Sequence, residues 1–349
     1  MKLKSNPALC FLIVTLCLFQ SDLFGQENKK AYDYLNAFSI QYQKIQKEAW
    51  DYTSSFTHGR SARKIERDRL ALVKTIETAL GTIKGLPGYE NDFGLRDSVI
   101  SYLDIYAKVI NHDYAQIVNL EEVAEQSYDA MEAYMLAAEK AGQKLDTASG
   151  NANLQFTSFA KKNNIKIIDS KDDLTRKMKA SILALNYYNK IYLIFFKPYK
   201  QEAYMLMALG KEDINSIEQN RNSLFEMSKE GLTKLAQIAG LKGDNSLNSA
   251  CKRALTFYKD EAETKIPVIT DFILIKKDYT EMMALYKSKD RMLMTDEEVK
   301  KYNKSIDVYN KSSIKFNNVN RSMDQGRTAV ISALNNSIET FMNLHVPKK

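Results

Sequence analysis

The sequence predicts an all-α protein, a tandem of two related helical bundles made of long amphipathic helices. Three observations carry this reading. The 349 residues include only 13 glycines and 5 prolines, too few breakers for a chain of sheets and turns. Apolar residues recur at alternating spacings of three and four, the period of one helix face. No segment sustains the every-second-residue alternation of a half-buried strand. The length suggests about two domains at roughly 150 residues each. A chain that is 44% hydrophobic and 27% charged has enough apolar material for a sizeable core, which excludes a disordered class.

Residues 1–25 read as a signal peptide. Lys2 and Lys4 precede the apolar run 8–19, which is too short to span a bilayer at about 20 residues. The small Gly25 sits where a signal peptidase cuts, so cleavage is expected after it and the exported chain would start at Gln26. Lipid attachment is the weaker reading, because Leu16 is bulky where a small residue should precede an acylated Cys17. No later window approaches about 18 apolar residues, so no transmembrane helix is expected beyond the signal. Cys251 is then the one remaining cysteine; it falls on an apolar helix face with Leu247 and Leu255 and reads as a small buried side chain, not a nucleophile.

The elements come in this order. Ala31, Leu35, Phe38, Tyr42, Ile45, Ala49, Tyr52 and Phe56 form one helical seam, broken at His58-Gly59. A second helix over 60–84 ends at Gly85-Leu86-Pro87-Gly88. A third is expected from Asp92 as N-cap, and a fourth from the capping box Asn119–Glu122 to Lys144. The polar stretch Asp146–Asn164 is the expected boundary, dividing the chain into 26–145, a connecting segment 146–169, and 170–349. Ser170–Asp173 caps the next helix, which Pro198 should kink or end. Further helices are expected over 212–239, 246–265, 267–289, 296–321 and 325–345, with a capping box at Thr295–Glu298.

A repeat is visible at low resolution. Gly85–Gly88 aligns with Gly240–Gly243, Leu95, Val99, Leu103 and Tyr106 align with Leu247, Cys251, Leu255 and Tyr258, and Glu48-Ala49-Trp50 resembles Glu202-Ala203-Tyr204. This predicts two similar bundles.

Chemistry-bearing patterns are sparse. Arg60, Arg63, Lys64 and Arg67 lie on one helix face and are the candidate stripe for an anion or a partner. Glu122, Glu125, Asp129 and Glu132 form an acidic stripe, but no Glu-x-x-His accompanies it, so no metal is expected. His58, His112 and His345 have no partner at metal-ligand spacing and no nucleophile beside them. The glycine turns lack the strand and Lys-Ser/Thr of a phosphate loop. No catalytic or cofactor-binding residue is therefore predicted. Residues 26–150 carry 15 basic and 19 acidic side chains against 33 and 23 in 151–349, a bias that interspersed acids and export make unlike a nucleic-acid surface.

The signal ending at Gly25-Gln26, the Tyr-, Asn- and Lys-rich chain and the long paired helices resemble uncharacterised helical surface or periplasmic proteins of bacteria. The resemblance spans the chain, rests on no signature motif and implies no activity. The expected function is that of an exported, non-enzymatic interaction or scaffold protein of the bacterial envelope or surface. Its partner would be a protein or an anionic glycan. The alternatives are a membrane-active or pore-forming helical protein, and an enzyme without recognisable motifs.

Overall fold

The computed structural model describes residues 26–58, 61–113, 127–167, 173–289 and 294–347. The signal segment 1–25, Gly59, Arg60, the box at Asn119–Glu122 and the cap at Ser170 lie outside the described residues. The chain is all-α. In order come α1 (Gln26–Thr57), α2 (Ala62–Lys84), α3 (Gly94–Lys108) and a π-helical turn at Val109–Asp113. Next are α4 (Tyr128–Lys162), α5 (Asp173–Gly210), α6 (Ile214–Ala236) and α7 (Ser246–Asp260). A second π-helical turn at Glu261–Lys265 leads into α8 (Ile266–Ser288) and α9 (Asp296–His345). No strand occurs among the described residues; only isolated bridges at Tyr89–Asp92 and Leu241–Asp244 do.

Two compact units divide the chain. The first holds the described residues up to 190 together with those from 339 on; the second holds 191–338. In the first, the predicted seam of α1 is buried from Ala31 to Tyr52. It packs on α2, where Leu72, Ile76 and Ile83 are buried, and its Tyr42 meets Tyr102 of α3 at 6.3 Å between ring centres. In the second, Ile217, Leu224 and Leu235 of α6 and Leu247, Cys251, Leu255 and Tyr258 of α7 are buried. These are the residues whose spacing marks one helix face.

Three expectations need correction. The segment Asp146–Asn164 is not a linker: it is helical through Lys162, because Ala148, Ala152, Phe156 and Ala160 bury a continuous stripe that outweighs its polar character. Leu154, by contrast, is 69% exposed. Pro198 does not end α5, which continues to Gly210. An internal proline costs a helix about 3 kcal/mol, and here the turn is held by Phe195 and Phe196, both buried and both packed against Tyr199. Nor is α9 interrupted between 321 and 325. Gly326 looks like a breaker but serves close approach: a Cβ there would meet the Phe257 ring at 2.5 Å. The capping box at Thr295 forms as read, with Glu298 N donating to Thr295 Oγ1 at 3.3 Å and Thr295 N to Glu298 Oε2 at 3.1 Å.

Three consecutive elements of the first half match three of the second in length at a spacing of 152 residues. Helices α2 and α6 are both 23 residues long and α3 and α7 both 15, and each 15-residue helix runs into a five-residue π turn. The N-cap positions Ser61 and Asp213 match likewise. Between the helices, Tyr89–Asp92 and Leu241–Asp244 close the same two-residue turn, with Glu90 and Asn91, or Lys242 and Gly243, at positive φ. Gly88, not Gly85, thus stands where Gly240 does, three positions from the alignment of the two glycine turns. The preceding helices end at Thr57 and Gly210, so Ala49 and Glu202 each lie eight residues before the end. The Glu48-Glu202 match is likewise shifted by one.

At Gly240 a Cβ would meet the Asp244 carbonyl at 2.6 Å and the Asn245 side chain closer still, whereas at Gly81, exposed in the last turn of α2, it would meet nothing within 4 Å. Gly240→Ala should lose roughly 2 kcal/mol, while Gly81→Ala should gain roughly 0.5–1 kcal/mol. Urea denaturation of the two variants checks both signs.

Candidate functional site

The predicted basic stripe is only partly free. Arg60 lies outside the described residues. Arg63 is exposed and Arg67 is 72% exposed, 3.7 Å from Asp68, while Lys64 is committed to Asp68 at 2.5 Å. Burial alone would raise the Asp68 carboxyl, but hydrogen bonds from Lys64 and from Ser55 of α1 hold it below the ordinary range. The stripe is thus anchored at its inner edge to a buried acid and open at its outer edge. At the 152-residue spacing its counterparts are Asn215, Ser216 and Gln219, so the architecture does not require the charge. Of the acidic stripe, Glu122 and Glu125 lie outside the described residues. Among the described residues no group of three or more His, Cys, Asp or Glu could hold a metal ion. Burial pushes the Cys251 thiol up to about 12, far from a nucleophile's range.

Sequence reasoning missed two arginine latches. A π turn widens the helix and frees carbonyls from the regular ladder. Arg69, 5% exposed, donates from Nη1 to the Ile110 carbonyl at 2.9 Å and the Asn111 carbonyl at 3.3 Å, while Glu66 holds its other face at 2.7 and 2.9 Å. Arg221 repeats this, with Glu218 at 2.9 Å and the Ala262 carbonyl at 3.4 Å. Glu-x-x-Arg was readable as a helix-surface pair; its target, 41 positions on in both halves, was not.

The second π turn begins with a charge. Glu261 is fully buried, Glu202 of α5 is 2% exposed, and both meet Arg327 of α9. Arg327 Nε donates to Glu202 Oε1 at 2.5 Å, Nη2 to Glu261 Oε1 at 2.8 Å and Nη1 to Asp324 Oδ1 at 2.8 Å. Two carboxylates against one enclosed guanidinium leave excess negative charge in a dry site. Burial first, and then the charge of Glu202, push the Glu261 carboxyl up to about 9 against the pull of Arg327; burial raises Glu202 as well. The two carboxyls titrate together. Glu261 Oε2 is buried with no hydrogen-bond partner, a position that a protonated, neutral carboxyl tolerates better than an ionised one. The fully buried Tyr258 stands beside them; burial first, and then the charges of Glu202 and Glu261, push its hydroxyl well above the ordinary range.

Beside this cluster lies a cavity of about 270 Å³. Leu206, Ile269, Phe272, Phe316 and Met323 line its apolar side, with Phe272 and Phe316 stacked at 4.4 Å. Arg327 and Asp324 form its polar end, so the guanidinium stands between the cavity and the two buried acids, neither of which lines it. Comparison with protein families, with curated proteins and with solved structures returned no match.

Arg63→Glu combined with Arg67→Glu should leave the melting temperature within about 2 °C of the parent, as expected for exposed side chains. A sharp drop in a thermal melt would make the stripe structural. Glu261 gives a pH signature. Its folded pKa lies above the unfolded 4.5, so its contribution is complete below about pH 4.5 and is lost as the pH rises through about 9. Glu261→Gln, a permanently neutral donor, should flatten this decline and make the variant more stable than the parent at about pH 8.5. Urea denaturation at about pH 5.5, 7 and 8.5 measures both effects.

Proposed function

We propose that the chain is an exported, non-enzymatic interaction protein of the bacterial cell envelope or surface, which offers rigid helical faces to a protein or anionic glycan. The supporting observation is an arm formed by α8 and α9. Over 274–319, Ser312 is the single buried residue among those described. The arm's two helices pack on each other through Ile275, Tyr279, Met282 and Tyr286 on one side and Val299, Tyr302, Ile306 and Tyr309 on the other, all half-buried. Their alternating spacings of four and three are those of an antiparallel coiled coil. Tyr286 stacks on Tyr302 at 3.8 Å and Tyr279 on Tyr309 at 4.4 Å. The outer faces expose Leu274 (47%), Leu285 (60%), Val308 (41%) and Ile314 (62%). Large apolar side chains on a two-helix arm are what a binding surface needs and a bare scaffold does not.

The leader, envelope destination and two-bundle repeat belong to the same proposal; the 152-residue correspondence supports an internal duplication. For the membrane-active alternative, no described helix is long and apolar enough to cross a membrane.

A photo-crosslinking residue placed at Leu285 or Val308, in cells of the native producer, should capture one recurrent envelope or host component. The same group at Leu154, exposed but off the arm, should not. Equal capture from all three positions, or leakage of dye from liposomes at low protein concentration, would count against a passive binding arm.

A further inference from the structure

The cavity at the base of the arm has the chemistry of a small-molecule site. Its volume of about 270 Å³ exceeds the roughly 150 Å³ that encloses benzene in an engineered protein core and approaches the small end of natural ligand pockets. Phe272, Phe316, Ile269 and Leu206 offer ring faces and aliphatic surface, Asn320, Asp324 and Arg327 of α9 form a polar end, and Glu212 adds a further carboxylate.

The charge at that end can be counted. Arg327 is the one cation touching Glu202, Glu261 and Asp324 among the described residues. Nearby Glu212 also lines the cavity, but Lys276 neutralises it at 2.6 Å. One proton on the pair Glu202 and Glu261 removes one negative charge, which leaves one carboxylate in excess. Three of the five N–H groups of Arg327 already donate to the protein's own carboxylates, so its positive charge is already matched within the cluster. Asp324, 66% exposed, keeps acceptor capacity at the cavity's edge.

The other half of the chain is an internal control. Where Glu202 stands eight residues before the end of its helix, Ala49 stands in α1; where Glu261 opens one π turn, Val109 opens the other. Both are buried and apolar. The same helix lengths and turns therefore form without this cluster, and buried ionic groups are commonly replaceable by apolar ones at no loss of stability. The cluster serves something other than the architecture.

We propose that this cavity binds a small amphiphilic cation: an ammonium group held at Asp324, on an aromatic or short aliphatic body of about a dozen non-hydrogen atoms or fewer packed against Phe272 and Phe316. The ring faces add a cation–π contribution.

Isothermal titration of the exported chain at about pH 7 with phenethylammonium and, separately, phenylacetate tests this. The two probes share size and ring and differ in charge. The ammonium should bind at least tenfold more tightly than the carboxylate. Asp324→Asn, a change at an exposed side chain that leaves the fold intact, should weaken it by a further factor of roughly ten. Leu206→Trp should abolish binding by filling the cavity, its folding checked by circular dichroism. Equal or tighter binding of phenylacetate, no saturable binding of the ammonium at millimolar concentration, or an unchanged affinity in Asp324→Asn would each overturn the proposal.

Discussion

The constraint on which much of this structure depends is the hydrogen bonding of the two π turns. Each widens a helix in the interior of its unit, and a freed buried carbonyl costs about as much as a lost hydrogen bond. Arg69 and Arg221 meet that cost from a neighbouring helix, each oriented by a glutamate three residues before it. A guanidinium suits this because its planar fork can serve a carboxylate and a carbonyl together. The π turns also set the phase of the helix beyond them. Glu261 opens the second turn three positions after Tyr258, on the face of α7 that buries Leu247, Cys251, Ala254 and Tyr258, so the phase of that helix already points it inward.

That placement accounts for the ionic cluster. A glutamate at full burial cannot stay an isolated anion; it takes a proton, a cation, or both. Glu261 has both within reach, the guanidinium of Arg327 and a proton that its raised carboxyl takes up. Two raised carboxyls side by side are what an acid–base pair would need, but here each is sealed from solvent and Arg327 closes the way to the cavity. Burial and Arg327 thus set the pair behind the cavity, where its charge acts through the guanidinium.

The sequence made the all-α class, the α1 seam and the reciprocal cap at Thr295 legible because each depends on residues within a few positions of one another. It misled where local chemistry and tertiary packing disagree. Pro198, Gly326 and the stretch from Asp146 to Asn164 look like breaks, yet buried neighbours carry the helix through Pro198 and Gly326 and along that stretch as far as Lys162. The proposed duplication was harder to place: sliding amphipathic helices by three or four positions preserves their apolar face, and only the matched turns and π segments give a register for it. The cluster was out of reach altogether. Glu202 and Arg327 are separated by 125 positions and Arg327 and Glu261 by 66, and none of the three sits in a motif.

The arm and the cavity share a wall. Phe272 and Phe316 are the innermost rung of the aromatic ladder that joins α8 to α9, and the same rings line the cavity. Outward from that rung the pair gains no third element among the described residues, and a two-helix coil that runs about 22 Å beyond it, at 1.5 Å per residue, depends on its seam for alignment. Tyrosine suits such a seam because its ring packs while its hydroxyl stays near water, as Tyr302 shows in reaching Met283 Sδ at 3.0 Å. Anything that moved the Phe272–Phe316 pair would re-aim the arm at its root, whereas a change at Tyr286–Tyr302 would disturb only the distal end. The base of the arm is therefore where the cavity and the arm's aromatic seam meet in the same side chains, Phe272 and Phe316.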